Sequence, residues 1–416
     1  MPISFRKLLP AALLCAVAGL AASEARAEPA PAFGLLLHQA EASSPRLAEL
    51  QAEVRAAVGR ADQSGVRPNP TVDLQVENLA GNSNAQLIAP VQSTLSASQT
   101  LELGGKRSAR LAAGRASVEA ARAGQRQAVA DFGYDLAVAY AAAEAAQTRV
   151  ELLQQDLERA AEDLRVAKAL VEAGREADLR AIQAQAAASA VRADLETARA
   201  TAMETLGRLS AMVGASPPFS SVGPSLLALA DGLPIVPSDA PATTFAIAAA
   251  EADRDAAVRR VNVERTRAAP DVTFSLGARR VEGLGSTLIV GGVSAPLPLF
   301  NRNSGAVSAA RAEQDAAEAR LRLARLEADS NWRSGQYRAT AAQAALRAAL
   351  EGEAAASEAY RLARIGYEAG RTPLSELLAA RRASTEARER TLEAKSQRIQ
   401  AEAALARLAG RIPFGG

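Results

Sequence analysis

Two regions of the chain alternate apolar and polar residues with a period of two. In the first of them, Val72 and Leu74 are each followed by a polar residue. The alternating segments are 72–77, 91–103, 271–279 and 289–299. Successive side chains of a strand point to opposite faces, so this period predicts strands with one apolar and one polar face. We therefore predict two β-hairpins, at about residues 71–103 and 271–299.

Long helices are predicted between and after the hairpins. From about Ser108 to Glu172 and from about Gly305 to Glu368 the chain has no proline, and strong helix formers supply nearly every residue. At a rise of about 1.5 Å per residue, each helix would be roughly 100 Å long. A returning helix follows each long helix and a shorter one precedes each hairpin, at about 177–213, 374–409, 33–66 and 244–267. The alanine-rich seams allow paired helices to approach as in antiparallel coiled coils.

The chain contains one structural plan twice. The string Glu-Ala-Gly-Arg at 172–175 returns at 368–371, where a glycine can take the left-handed conformation that closes a helix. The pair Leu101 and Leu103 returns as Leu297 and Leu299. A repeat this long is a whole subdomain, because solenoid repeats have periods of roughly 20 to 50 residues. We predict a signal peptide (1–27), a first repeat (28–215), a linker or equatorial segment (216–243) and a second repeat (244–416).

The amino terminus has the pattern of an export signal. Arg6 and Lys7 precede an apolar run, and Ala25-Arg26-Ala27 offers a cleavage site. The one cysteine, Cys15, lies inside this segment after Leu14, so we expect neither lipidation nor, in the mature chain, disulfides or thiolate metal sites. Without residues 1–27 the net charge is about zero, which leaves no electrostatic footprint for nucleic-acid binding.

The hairpins predict a membrane barrel that is shared between subunits. Two hairpins alone leave strand edges unpaired, and lipid cannot satisfy the hydrogen bonds of an open edge. Four strands from each of three chains would close a twelve-stranded barrel, and the helices would continue its lumen as a periplasmic tube. The fold class is thus mainly α with a membrane β-barrel. The residues predicted to line the lumen are Asp73, Gln75, Glu77, Thr94, Ser96 and Ser98.

The order of these elements resembles the TolC family of outer-membrane efflux channels, over essentially the whole mature chain. Three strings are most similar to the branch that exports divalent heavy metals, the cobalt-zinc-cadmium type. They are Pro68-Asn69-Pro70, Leu101-Glu102-Leu103-Gly104-Gly105-Lys106-Arg107 and Pro296-Leu297-Pro298-Leu299-Phe300-Asn301-Arg302-Asn303. The drug-exporting branch usually has a different string at the strand-to-helix junction.

The resemblance implies a homotrimeric passive duct in the outer membrane with a periplasmic extension. A periplasmic adaptor would join it to an inner-membrane pump of the resistance-nodulation-division class, and the pump would supply the energy. The resemblance also places adaptor docking and tube closure at the two glycine turns. These residues are Ala173, Gly174, Arg175, Ala369, Gly370 and Arg371. No cofactor and no resident metal are expected.

The carboxylates near the tips have two interpretations, whereas the charged junction residues and the histidine have one each. Carboxylates close to the tips could form rings across a trimer that favour cations, or they could be ordinary solvated charges. These carboxylates are Glu172, Asp178, Glu368 and Glu376. Lys106 and Arg107 follow a strand, and we expect them at lipid phosphates. His38 is the single histidine, so it cannot form a transition-metal cage with other histidines or cysteines.

Two other functions remain open from the sequence. The chain could be the outer-membrane channel of a pump for drugs or other small organic molecules, because selectivity would reside mainly in the pump. It could also be a periplasmic coiled-coil adaptor or scaffold, although adaptors usually lack the repeated alternating strands. We predict that the chain is not an enzyme, since no catalytic triad, metal cluster or phosphate cradle is present in the sequence.

Overall fold

The computed structural model describes residues 28–78, 90–224, 226–233, 244–282 and 285–414. The predicted signal peptide lies outside these ranges. The helices are α1 (Phe33–Ser43), α2 (Pro45–Ser64), α3 (Lys106–Glu172), α4 (Asp178–Val213), α5 (Phe245–Thr266), α6 (Ser304–Glu368) and α7 (Leu374–Leu408). The strands are β1 (Pro29–Ala30), β2 (Thr71–Glu77), β3 (Gln92–Leu101), β4 (Ser221–Val222), β5 (Val272–Val281) and β6 (Ser286–Ser294).

The two predicted hairpins form one antiparallel sheet in the order β2-β3-β5-β6. The inner pair, β3 and β5, joins the two halves of the chain along ten residues of each strand. The outer edges of β2 and β6 have no partner strand within the described residues. The second hairpin ends at Ser294, earlier than the predicted boundary of 299, because Pro296 and Pro298 have no N–H to donate to a ladder.

Each long helix forms an antiparallel hairpin with the helix that follows it. α3 has 67 residues and pairs with α4, and α6 has 65 residues and pairs with α7. We call α3 with α4 the first helical hairpin and α6 with α7 the second. The seam of the first contains small apolar clusters such as Leu153, Leu195 and Ala198. Long helices of this kind are stable because many small contacts add along their length.

The predicted single helix at 33–66 is wrong in one respect, because a break divides it into α1 and α2. Ser44 is extended, with φ −68° and ψ 122°, and Pro45 begins α2. A proline clashes with a helical residue before it, whereas it is well suited to the first position of a helix. Pro45 was therefore the signal in the sequence that marks this break.

Within the segment between the two repeats, the described residues 216–224 and 226–233 pack as a side layer on the helices. β4 pairs in parallel with β1, so the residues after the predicted signal are bound to Ser221 and Val222. Leu226 and Leu227 enter the main core. This core also contains Phe33 of α1, together with Leu136 and other residues of α3. The buried Glu144 carboxylate of α3 accepts hydrogen bonds from the backbone N–H groups of Leu226 and Leu227, at 3.0 and 3.2 Å. This carboxylate thereby contributes to binding the side layer to the long helix.

Replacing Glu144 by alanine is expected to loosen the side layer. Two buried N–H groups lose their acceptor, which costs about 1–3 kcal/mol for a buried unsatisfied donor. Hydrogen exchange of peptides covering residues 226–233 should accelerate. The matched control is Glu151→Ala, since Glu151 is exposed on the same helix. Equal exchange in the two variants would contradict this role of Glu144.

Candidate functional site at the helical tips, the junctions and the sheet

Both helical hairpins turn on a glycine in the left-handed conformation. Gly174 has φ +68° and Gly370 has φ +70°. In each turn the glycine N–H bonds a carbonyl three residues back, and the following arginine N–H bonds one five residues back. This pattern satisfies carbonyls that the end of a helix otherwise leaves free. The two copies of Glu-Ala-Gly-Arg thus form the same helix-terminating turn.

The two turns of one chain lie side by side. The Nη2 atom of Arg175 lies 3.6 Å from the position that a Cβ on Gly370 would occupy, whereas a Cβ on Gly174 would meet nothing within 4 Å. Beneath the turns, a cluster joins all four helices of the hairpins. Its buried residues are Ala167, Ala184, Tyr360, Tyr367, Leu374 and Leu377. The predicted tip residues Ala173 to Arg175 and Ala369 to Arg371 are therefore brought together on one packed end.

The four tip carboxylates of the sequence analysis lie on the surface. Glu172, Asp178 and Glu376 are exposed, and so is Glu368, which accepts a hydrogen bond from Arg364 at 2.9 Å. No group of three or more histidine, cysteine, aspartate or glutamate residues within the described ranges could hold a metal ion. Their role as a ring around an aperture stays a prediction, because such a ring needs several subunits.

A buried ion pair near the tips is not evident from the sequence. The side chains of Asp163 on α3 and Arg381 on α7 are only 4% and 5% exposed, and Arg381 Nε lies 3.7 Å from Asp163 Oδ2. Burial raises the pKa of the Asp163 carboxyl, although the Arg381 charge opposes that rise. Helical periodicity places both residues on inner faces, but it cannot show that the two faces meet.

The predicted lumen residues share one face of the sheet. Asp73 lies opposite Ser96, and Gln75 opposite Thr94, in the antiparallel register. Residues directly opposite each other point to the same side, so Glu77 and Ser98 belong to this face as well. Arg279 also lies on it and donates from Nε to Thr94 Oγ1 at 3.1 Å. That this polar face lines a lumen stays a prediction.

The opposite face of the sheet is apolar and uncovered. Leu74 is 70% exposed, Leu276 67% and Ile289 84%. These fractions exceed what a packed core leaves open, and contiguous exposed apolar surface indicates contact with lipid or another protein. Each helix in the described part of the chain is too short or too polar to cross a membrane.

The first strand-to-helix junction uses its charges internally. Lys106 Nζ lies 2.7 Å from Asp271, and Arg107 Nε donates to the carbonyl of Gly65 at 2.7 Å. Arg110 pairs with Glu102 and also donates to the carbonyls at the end of α2. These contacts hold β3, β5 and the end of α2 to the start of α3, so Lys106 and Arg107 have a structural role here. That they also contact lipid phosphates stays a prediction.

The second junction performs the same task with an asparagine. Asn303 has φ +59° and takes the place of the left-handed Gly104 and Gly105 in the first copy. Its side-chain amide donates to the Glu264 carbonyl at 2.8 Å and to the Glu264 carboxylate at 3.0 Å. Asparagine tolerates this conformation better than most residues. The two junction strings are therefore different solutions to one geometric problem.

Comparison with known proteins identifies the family. Two segments of the chain, residues 36–215 and 236–411, match the family described as Outer membrane efflux protein. The chain belongs to this family. The family and the fold are those of outer-membrane efflux channels, which removes the alternative of a periplasmic adaptor or scaffold.

Three relatives match over nearly their whole length. The chain is 42% identical to the nickel-cobalt-cadmium resistance protein NccC of Alcaligenes xylosoxydans xylosoxydans, over 97% of this chain and 91% of the relative. It is 44% identical to the nickel and cobalt resistance protein CnrC of Cupriavidus metallidurans, over 92% of each. The cobalt-zinc-cadmium resistance protein CzcC of that organism is 31% identical, over 90% of this chain and 89% of the relative.

Solved structures share the fold. The outer membrane protein VceC of Vibrio cholerae superimposes with a TM-score of 0.74 at 21% identity, covering 91% of this chain and 96% of that chain. CusC, studied for transmembrane channel formation, superimposes with a TM-score of 0.77 at 17% identity, covering 91% and 92%. The predicted fold class of long helical hairpins with two β-hairpins is confirmed.

Replacing both tip glycines by valine is expected to destabilise the turns. A left-handed backbone costs a residue with a Cβ about 1–2 kcal/mol, and a β-branched residue tolerates it worst. Trypsin should therefore cleave faster after Arg175 and Arg371 in the double variant. Gly352→Ala is the control, because Gly352 lies in α6 with open space around it and helix-compatible φ. Cleavage of the double valine variant at the wild-type rate would show that the turns do not depend on glycine.

Proposed function

We propose that the chain is the outer-membrane exit duct of a tripartite system that exports divalent heavy-metal cations of the cobalt, zinc, cadmium and nickel class. The observation that carries this proposal is the nearly full-length similarity to NccC and CnrC, whose names state resistance to nickel and cobalt. The alternative cargo, drugs or other small organic molecules, has no comparable relative among those matches.

The architecture supports a passive trimeric channel. Efflux channels of this family act as trimers together with an adaptor and an inner-membrane pump. In this chain the unpaired edges of β2 and β6 would pair between subunits and close the barrel, as lipid requires. The apolar face of the sheet would then contact lipid, and Asp73, Gln75 and their neighbours on the polar face would line the duct.

The packed tips support a periplasmic docking and closing surface. The turns at Gly174 and Gly370 lie side by side and are exposed, so one adaptor could contact both. Glu172, Asp178, Glu368 and Glu376 would surround the aperture and attract cations. Opening would move the second helical hairpin against the first, a shift of packed elements. The adaptor and pump would be of the membrane-fusion and resistance-nodulation-division classes.

Metal tolerance of a deletion strain tests the cargo. Loss of nickel, cobalt, zinc or cadmium tolerance, restored by the wild-type chain but not by the Gly174→Val/Gly370→Val variant, is the expected result. Gly352→Ala should complement fully, and all chains must reach the outer membrane at equal levels. Unchanged metal tolerance with new sensitivity to dyes or antibiotics would move the channel to organic cargo. Complementation by the valine variant would contradict a docking role for the two glycine turns.

Neighbouring residues of β2 test the barrel face. The mature chain has no cysteine, so Asp73→Cys and Leu74→Cys give single thiols on opposite faces. In planar bilayers a charged, membrane-impermeant thiol reagent should reduce the conductance of the Asp73→Cys channel. The Leu74→Cys channel should be unaffected, because its thiol would face lipid. The reverse pattern would exclude a lumen on the polar face.

A further inference from the structure

Contacts within the first helical hairpin differ in character from contacts between the two hairpins. α3 meets α4 through apolar clusters, such as Ala160 with Ala188 and Val191. α3 meets α7 through ion pairs at three levels, in addition to packed apolar residues. These pairs are Asp131 with Arg407 at 3.1 Å, Arg149 with Glu389 at 2.9 Å, and Asp163 with Arg381 at 3.7 Å. Charged groups of the two hairpins therefore meet at three levels of this contact.

The pair nearest the tips, Asp163 with Arg381, is the buried one. Its charged atoms lack part of their hydrogen bonds. Asp163 Oδ2 and both Nε and Nη1 of Arg381 are buried without a hydrogen-bond partner in the described part of the chain. Arg149 is more than half exposed, whereas Asp163 and Arg381 are almost completely buried. Burying a charge without full hydrogen bonding is costly, so this contact is sensitive to the charge on Asp163.

Groups on three helices surround Asp163. Asp156 lies on the same helix and is itself 5% exposed. The groups whose charges act on Asp163 are Arg381 from α7, Arg364 and Glu368 from α6, and Asp156 from α3. Tyr360 and Tyr367 of α6 lie close enough to be affected by it in turn. Arg364 is bound to Glu368, which leaves Arg381 as the principal counter-charge.

We propose that protonation of Asp163 controls how firmly the two helical hairpins are held together just above the periplasmic tips. The inference rests on the proposed function, because it concerns opening by movement of the second hairpin against the first. Asp163 and Arg381 lie in one chain on opposite sides of that contact. A change of charge at this position therefore acts directly on the moving surface.

The direction of the effect follows from linkage. Burial raises the pKa of Asp163 in the packed arrangement, and water reaching an opened contact would return that pKa towards about 3.9. The packed arrangement thus binds the proton more tightly than the opened one. Protonation of Asp163 therefore stabilises the packed arrangement fully below the ordinary pKa. This stabilisation is lost as pH rises through the raised pKa. Acid should tighten the contact, and less acidic pH should loosen it.

Thiol labelling of the full-length trimer measures this opening directly. Ala167 is 0% exposed and packs in the tip cluster with Tyr360 and Leu377 of the second hairpin. Ala167→Cys therefore reports separation, and Ala169→Cys, exposed two positions away, corrects for the pH dependence of thiol chemistry. The ratio of their labelling rates should rise as pH increases through the raised pKa of Asp163. A pKa difference of one between the two arrangements corresponds to about a tenfold change.

Three variants test whether Asp163 is the responsible group. Asp163→Asn should keep the ratio low and independent of pH, while Glu158→Gln, at an exposed position of α3, should leave the wild-type profile unchanged. Arg381→Gln removes the charge that lowers the pKa of Asp163, so the midpoint should move to higher pH. A wild-type profile in Asp163→Asn, a flat profile in the wild type, or an unchanged midpoint in Arg381→Gln would overturn the proposal.

Failure here is separable from failure of the proposed function. Channels that conduct in planar bilayers and complement metal tolerance, but show a flat labelling ratio, would retain the duct and reject the proton control. A pH-dependent ratio in a protein that neither conducts nor complements would reject the duct. Trimer content by size-exclusion chromatography identifies any variant that does not fold. If Asp163→Asn fails in this way, the shift of the midpoint in Arg381→Gln still tests the proposal.

Discussion

Close packing of alanine along α3 is the interaction on which the rest of the structure depends. α3 contacts α2, α4, α5 and α7, so these four helices are positioned against it. Ala137, Ala141 and Ala143 are completely buried in the main core. Alanine loses no side-chain entropy on burial and lets helix backbones approach closely. Each contact is small, and the helix is held because its 67 residues supply many of them.

The features that the sequence predicted are those determined by local chemistry. The left-handed turns at Gly174 and Gly370 follow from glycine after a long run of helix formers. The faces of the strands follow from alternation, so the side on which Asp73 lies relative to Leu74 was correct. The break at Ser44 and Pro45 was also a local signal, and it was overlooked because the apolar pattern continues through it.

The features that the sequence did not predict depend on which faces meet in three dimensions. The pairing of Asp163 with Arg381 joins residues from different repeats, and periodicity gives a face without its partner. The junction charges are a similar case. Lys106 and Arg107 have the composition of a lipid-binding pair, yet Asp271 and the end of α2 bind them because the strands β3 and β5 are adjacent. The left-handed backbone of Asn303, which takes the place of glycine before α6, was likewise not predicted.

The pairing of β3 with β5 has a consequence for the order of folding. β3, which completes the first hairpin, is separated from β5 in the chain by α3, α4, the side layer and α5. Closing so long a loop is entropically unfavourable and slow compared with helix formation. The helical part of the first repeat should therefore be assembled before the sheet is joined. Neither repeat alone carries a complete sheet, so a half-length chain would leave β3 or β5 as an exposed edge prone to aggregation.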